Sequence, residues 1–158
     1  MKAAVIHEYS DAFDNLKYED VETPKIKSNE LLIKIHASGV NHCDTDLRRG
    51  LFGVESNMPH VMGVDAAGEV VEVGADINNF KIGDRVACAG AEYAWHADKI
   101  SIPKNLVAKI PDGVDLKDAS FSTISSIALN GFRCANPELG HAVVVIGLGL
   151  IPIPFHSE

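Results

Sequence analysis

Asn41, His42 and Cys43 stand in a row, followed by Asp44. They bring together an amide that can donate to a carbonyl oxygen, an imidazole that titrates near neutrality, and a thiol. These three are the candidate catalytic residues. Asn41 is suited to holding a substrate carbonyl, and His42 to giving a proton or touching a phosphate. Each also has a plainer reading. Asn41 can brace a turn, His42 can sit in solvent on a loop, and Cys43 can be a buried, inert thiol. Asp44 and Asp65 are expected to brace loops.

A second pattern lies near the other end. Val143–Ile151 reads VVVIGLGLI. A β-branched run that meets Gly147-Leu148-Gly149 is how a first Rossmann strand enters its phosphate-binding turn. Gly147 and Gly149 are therefore the candidate cofactor-binding residues. The third glycine of that turn is expected at position 152, where Pro152 stands, and the sequence ends six residues later. The tail Ile-Pro-Ile-Pro-Phe-His-Ser-Glu, with two prolines, reads as extended rather than helical. Without the helix that should follow, the two glycines are expected to be vestigial.

These residues need elements to position them, and 158 residues allow about one full domain. Hydrophobic residues make up 46% and aromatics only 6%, so the core must be aliphatic. A formal charge of −8 without any basic run argues against nucleic acid and anionic membranes as partners. No apolar run approaches the ~20 residues of a membrane helix, and no signal peptide opens the chain. Three cysteines without a CxxC fit reduced thiols in a cytoplasm.

The first hundred residues read as strands. Lys2–Ile6 is a short apolar run. Leu31–Ala37 alternates with period 2, with Lys34 and His36 on the solvent side. Asp44–Arg49 reads as a polar helical turn closed by Gly50. Val61–Val73 reads as one long strand in which Gly63 and Gly68 mark bulges or close backbone contacts. Gly83-Asp84 makes a turn into the strand Arg85–Ala89; Glu92–Ala97 and Ile100–Ile102 follow as short strands. Tyr93 and Trp95 are expected to pack in the core. Asp115 is the expected N-cap of a helix, and Ala119–Cys134 reads as one buried connecting helix that ends at Asn136-Pro137. Ala142–Ile151 is apolar on both faces, an orphan strand that must pack on the domain, pair with another copy, or aggregate.

Three stretches in order, Gly39-Val40-Asn41-His42-Cys43-Asp44, Met58-Pro59-His60-Val61-Met62-Gly63-Val64-Asp65-Ala66-Ala67-Gly68-Glu69-Val70-Val71-Glu72-Val73-Gly74 and Phe80-Lys81-Ile82-Gly83-Asp84-Arg85-Val86, resemble the GroES-like catalytic domain of the medium-chain dehydrogenase/reductase superfamily. The resemblance covers roughly residues 1–151. It implies a mainly β fold with a few helices, a partly open β-barrel, followed by a connecting helix and the first Rossmann strand. It divides the chain into a substrate domain, 1–118, and a connecting helix with a truncated start of the nucleotide-binding domain, 119–158.

The superfamily holds zinc alcohol dehydrogenases and zinc-free quinone oxidoreductases. In the zinc branch three protein ligands bind the metal. The matching positions here carry Asn41, Val64, and Ser122 or Ala119, none of them a conventional ligand. No metal residue is therefore assigned, and zinc is not expected. The resemblance points to the zinc-free branch, where hydride passes between NAD(P)H and a carbonyl, enone or quinone substrate while the protein orients both. Cys43 falls where the zinc enzymes keep a proton-relaying Ser or Thr. His42 replaces the proline of the quinone oxidoreductase motif.

The expected function is the substrate-side domain of a zinc-independent NAD(P)H-dependent oxidoreductase. The chain alone is expected to be inactive and to bind neither NADH nor NADPH, as the truncated product of a longer ancestor. One alternative is a zinc alcohol dehydrogenase-like protein with a rearranged site drawn from His42, Cys43, His60 and Asp65. Another is a non-catalytic GroES-like binding module or gene remnant. The expected location is the cytoplasm, with a homodimer through the orphan strand as one way of covering it.

Overall fold

The computed structural model describes residues 1–51, 57–147, 149–151 and 153–156, the last four as backbone. In chain order these are β1 (Lys2–Ile6), β2 (Leu16–Asp20), β3 (Glu30–Gly39), α1 (His42–Arg48), β4 (His60–Val61), β5 (Asp65–Val73), β6 (Arg85–Ala89), β7 (Lys99–Pro103), β8 (Val107–Lys109), α2 (Leu116–Ala119), α3 (Ser122–Ala135), β9 (Val143–Ile146) and β10 (Ile153–His156). They form two compact units, Met1–Phe121 and Ser122–Glu158.

The first unit is mainly β. Five antiparallel strands run in the order β7-β3-β5-β6-β8, and three more in the order β2-β1-β4. Among the described residues the sheets do not close into a barrel. Leu31, Ile33, Val70, Val86, Ile100 and Ile102 are fully buried in one aliphatic cluster, with Tyr93 and Trp95 packed against it. Burial of each such side chain contributes roughly 2 kcal/mol. The period-2 pattern of β3 holds from Lys34 onward, where Lys34 and His36 are exposed. Before it, Leu32 is buried as well as its neighbours, so both faces are covered at that end.

Gly68 of β5 passes close to the backbone of β3. A Cβ there would stand 2.1 Å from the Lys34 carbonyl oxygen, and the register shifts between Ile35 and Ala37 opposite it. The Gly83-Asp84 turn is braced as its sequence implies, the Lys81 N–H donating to Asp84 Oδ2 at 3.0 Å.

Four expectations need correction. Val61–Val73 is two strands, because Gly63 takes φ +124 between β4 and β5 and turns the chain. Glu92–Ala97 is not a strand: it opens as a turn in which the N–H groups of Tyr93 and Ala94 both donate to Gly90 O, and Ala97 alone bridges Ala3 among these residues. The helix read over Ala119–Cys134 is broken at Ser120-Phe121 into α2 and α3, with the Ser120 hydroxyl donating to Lys117 O at 2.7 Å. The Asp115 cap holds, its carboxylate accepting from Lys117 N at 2.7 Å. α3 is also not a buried helix, since Ile127, Leu129 and Phe132 are exposed. Within its own unit it meets a two-stranded hairpin, which offers too little surface to cover it. β2, whose LKYED carries no apolar period, escapes the sequence reading altogether.

In the second unit the orphan strand has a partner. β9 pairs antiparallel with β10, Ile146 opposite Ile153 and Val143 opposite His156. The extended tail thus supplies the hydrogen bonds that a free strand would lack. Pro152, Ser157 and Glu158 lie outside the described residues.

Candidate functional site

α1 begins where β3 runs out, and Asn41 makes the junction. Its backbone is extended, φ −115 and ψ 159, as an N-cap requires. Its N–H donates to Asp44 Oδ2 at 2.8 Å, so the fourth residue of the junction closes back on the first. The Asn41 amide turns inward. Nδ2 donates to Asp65 Oδ2 at 3.0 Å and to Gly39 O at 3.3 Å. Glycine at 39 makes room for this: a Cβ would lie 3.1 Å from Ser120 O and 3.2 Å from the Asp65 Cβ.

Asp65 is fully buried, and its Oδ1 has no hydrogen-bond partner. Its carbonyl oxygen accepts from the Ser38 hydroxyl at 2.9 Å. Ser38 Oγ is also 2.6 Å from His96 Nδ1, and His96 Nε2 stands 3.5 Å from Asp44 Oδ2. Asn41, Asp44, Asp65, Ser38 and His96 are thus one connected polar cluster under the start of α1. Asp44 and Asp65 brace the loops as their spacing suggests.

The three candidate catalytic residues have different surroundings. Asn41 is buried with both amide hydrogens engaged inside the fold. His42 is exposed on the first turn of α1. Cys43 is half-buried, and burial, followed by the negative charges of Asp44 and Asp65, pushes its thiol above the ordinary range. It is a neutral thiol at physiological pH, not a nucleophile. Cys88, buried in the core, is pushed up to about 12 by burial alone.

His42, Cys43, His60 and Asp65 do not assemble as metal ligands. Among the described residues no three His, Cys, Asp or Glu side chains converge to hold an ion. His60 is half-buried with Nε2 unpartnered, and burial pulls its pKa below the usual histidine value against the opposing charge of Glu92.

Gly147, at φ +88, and Gly149 lie in the connection between β9 and β10, with nothing within 4 Å of a Cβ at either. Leu148 between them, like Pro152, lies outside the described residues. The described chain beyond them is strand, so no helix N-terminus faces the glycines.

A cavity of about 370 Å³ opens beside α1, lined in part by Val40, Asp44, Thr45, Arg48, Met62 and His96. Arg48 is buried, and its Nη1 donates to Ser10 O, Ala12 O and Asn15 Oδ1. The sequence reading missed Ser38, Arg48 and His96. Their partners lie 27 to 58 residues away, and no local spacing announces such pairs.

The profile of the alcohol dehydrogenase GroES-like domain matches residues 27–112. An alcohol dehydrogenase of Geobacillus stearothermophilus is 31% identical over 94% of this chain and 51% of its own length. The quinone oxidoreductase of Coxiella burnetii superposes with a TM-score of 0.82 at 28% identity, over 89% of this chain and 47% of that one. A mycobacterial protein solved in complex with NADPH superposes with a TM-score of 0.74 at 30% identity, over 89% of this chain and 42% of that one. The chain spans about half the length of the relatives it matches. Among the described residues no helix is long and apolar enough to cross a membrane.

Proposed function

The chain belongs to the medium-chain dehydrogenase/reductase superfamily through its alcohol dehydrogenase GroES-like domain, and from that premise we propose that it is the substrate half of a zinc-independent, NAD(P)H-dependent oxidoreductase acting on a quinone, enone or related carbonyl compound. One observation carries the reading. At the position of the first zinc ligand, Asn41 is locked by its amide onto the buried carboxylate of Asp65. At the second, Val64 has no donor atom. An amide–carboxylate brace at the first position and an apolar side chain at the second favour substrate orientation over metal binding as the contribution of these residues.

In this reading 1–118 is the substrate domain and 119–158 leads toward a nucleotide-binding domain. Asn41 fixes the loop that bears the site, His42 is the exposed group able to give a proton to a substrate oxygen, and Cys43 lines it as a neutral thiol. NADPH accompanies the mycobacterial relative. The cofactor belongs to the full-length family in this reading, and no step is assigned to one on this chain.

The test is metal analysis of the purified chain together with NMR titration by duroquinone. Zinc far below one equivalent, with shifts centred on Asn41–Asp44, is the expected result. One tightly held zinc per chain would move the protein to the alcohol dehydrogenase branch. Absence of any duroquinone effect up to millimolar concentration would leave a binding module without this substrate class.

A further inference from the structure

We propose that the chain pairs with a second copy of itself along the free edge of β2, as a weak twofold dimer whose register is set by Lys17 and Glu19. β2 is the outer strand of its sheet, paired with β1 on one side and, among the described residues, with no strand on the other. An outer strand carries a row of unpaired N–H and C=O groups, a template for one more strand.

The ladder fixes which groups are free. The Met1 ammonium donates to Val21 O at 3.0 Å, and Val21 N–H donates to Met1 O at 2.9 Å. Such exchanging pairs alternate along an antiparallel ladder, so Glu19 and Lys17 spend their N–H and C=O groups on Ala3 and Val5. Leu16, Tyr18 and Asp20 aim theirs away from β1. The other strand agrees: Lys2 and Ala4, opposite Asp20 and Tyr18, bond to Asp98, His96 and Met62 on the far side of β1. Among the described residues nothing else takes the N–H or C=O of Tyr18 or Asp20.

A second β2 laid antiparallel, with the twofold axis at Tyr18, closes these groups. Tyr18 exchanges both bonds with Tyr18 of the second copy, and each Asp20 N–H meets the opposite Leu16 carbonyl. Lys17 then faces Glu19 of the second copy in the pairs where side chains come closest. Lys17 is exposed and has no ion pair among the described residues, while His7 holds only Oε1 of Glu19, at 2.8 Å. Tyr18, 71% exposed, gains the second tyrosine ring across the axis. The other outer strands lack this match. β4 has two residues and β8 three, β7 would set Lys99 against Pro103, and β9, wholly apolar, fixes no register. The inference does not depend on the reading of the chain as an oxidoreductase.

A pair of five-residue strands buries less than the roughly 1,200 Å² of a standard interface, so the dimer is weak. The test is sedimentation equilibrium of the intact chain from about 10 μM to 1 mM at low salt. A monomer–dimer equilibrium with a Kd of about 0.1 mM is expected. Lys17→Glu and Glu19→Lys are each expected to weaken it at least about tenfold, because like charges then face each other. An equimolar mixture of these two variants is expected to associate more tightly than either alone, since every facing pair is again opposite in charge. Tyr18→Pro removes only an outward N–H, which an outer strand tolerates, and is expected to abolish the dimer. A monomer throughout the range, a dimer that survives Tyr18→Pro, or a mixture no tighter than its components would overturn the proposal. The charge variants decide even if Tyr18→Pro does not fold.

Discussion

Asn41 Nδ2 donates to Asp65 Oδ2 across 3.0 Å, and this bond ties the start of α1 to the first residue of β5, 24 positions along the chain. The carboxylate it serves is fully buried, with its other oxygen unpartnered. Removing the donor strands a charged group in the interior, which costs far more than a surface hydrogen bond. Asn41→Ala is expected to lower the unfolding free energy by about 3 kcal/mol, read from the urea midpoint. A loss below about 0.5 kcal/mol, the scale of an ordinary surface substitution, would show that the brace is idle.

Glycine at 68 is required by space and glycine at 113 by backbone conformation, so alanine should separate the two effects. At Gly68 the added Cβ would sit 2.1 Å from backbone oxygen of Lys34, and only a separation of β3 from β5 relieves that. At Gly113 nothing lies within 4 Å, but φ is +84. Gly113→Ala is expected to cost about 1 kcal/mol of left-handed strain. Gly68→Ala is expected to cost at least about 3 kcal/mol or to prevent folding. Thermal unfolding of both variants checks this, and equal losses would contradict it.

The apolar run of β1, the alternation in β3 and the turn before β6 were readable because burial of a strand face and the turns that bound it write themselves into neighbouring residues. The break between β4 and β5 depended on one glycine torsion, which leaves no such trace. β2 carries a polar, exposed sequence and, among the described strands, pairs with β1 alone. At the site, Asn41 and Asp44 were visible as a junction within four residues. His96 was not. It reaches Ser38 across 58 residues from a turn that the sequence presents as a strand. The pairing of β9 with β10 was hidden by the prolines of the tail, although the extended habit of Pro154 suits an outer strand.

Burial holds the Cys88 thiol at about 12, against roughly 8.5 for an unfolded cysteine. Between those values the unfolded chain has lost the proton while the folded chain keeps it. Stability therefore falls as pH rises through this window, by up to about 1.4 kcal/mol per pH unit from this group. Other groups titrate there too, so the measurement is the difference between wild type and Cys88→Ala. The gap in unfolding free energy should shrink steadily from pH 9 to pH 11. A gap constant across that range would mean that Cys88 is not desolvated as its burial implies.

Arg48 is buried and draws the loop before β2 onto α1, through Ser10, Ala12 and Asn15, with the Phe13 ring 4.8 Å from its guanidinium carbon. Lysine carries the same charge but lacks the planar guanidinium that holds these acceptors in fixed directions and lies over the Phe13 ring. Arg48→Lys is accordingly expected to free the loop and to cost about 2 kcal/mol. The chain should then be cut by a non-specific protease between Tyr9 and Asn15, well below the concentration that cuts wild type. Protease resistance equal to wild type would mean that other contacts hold the loop.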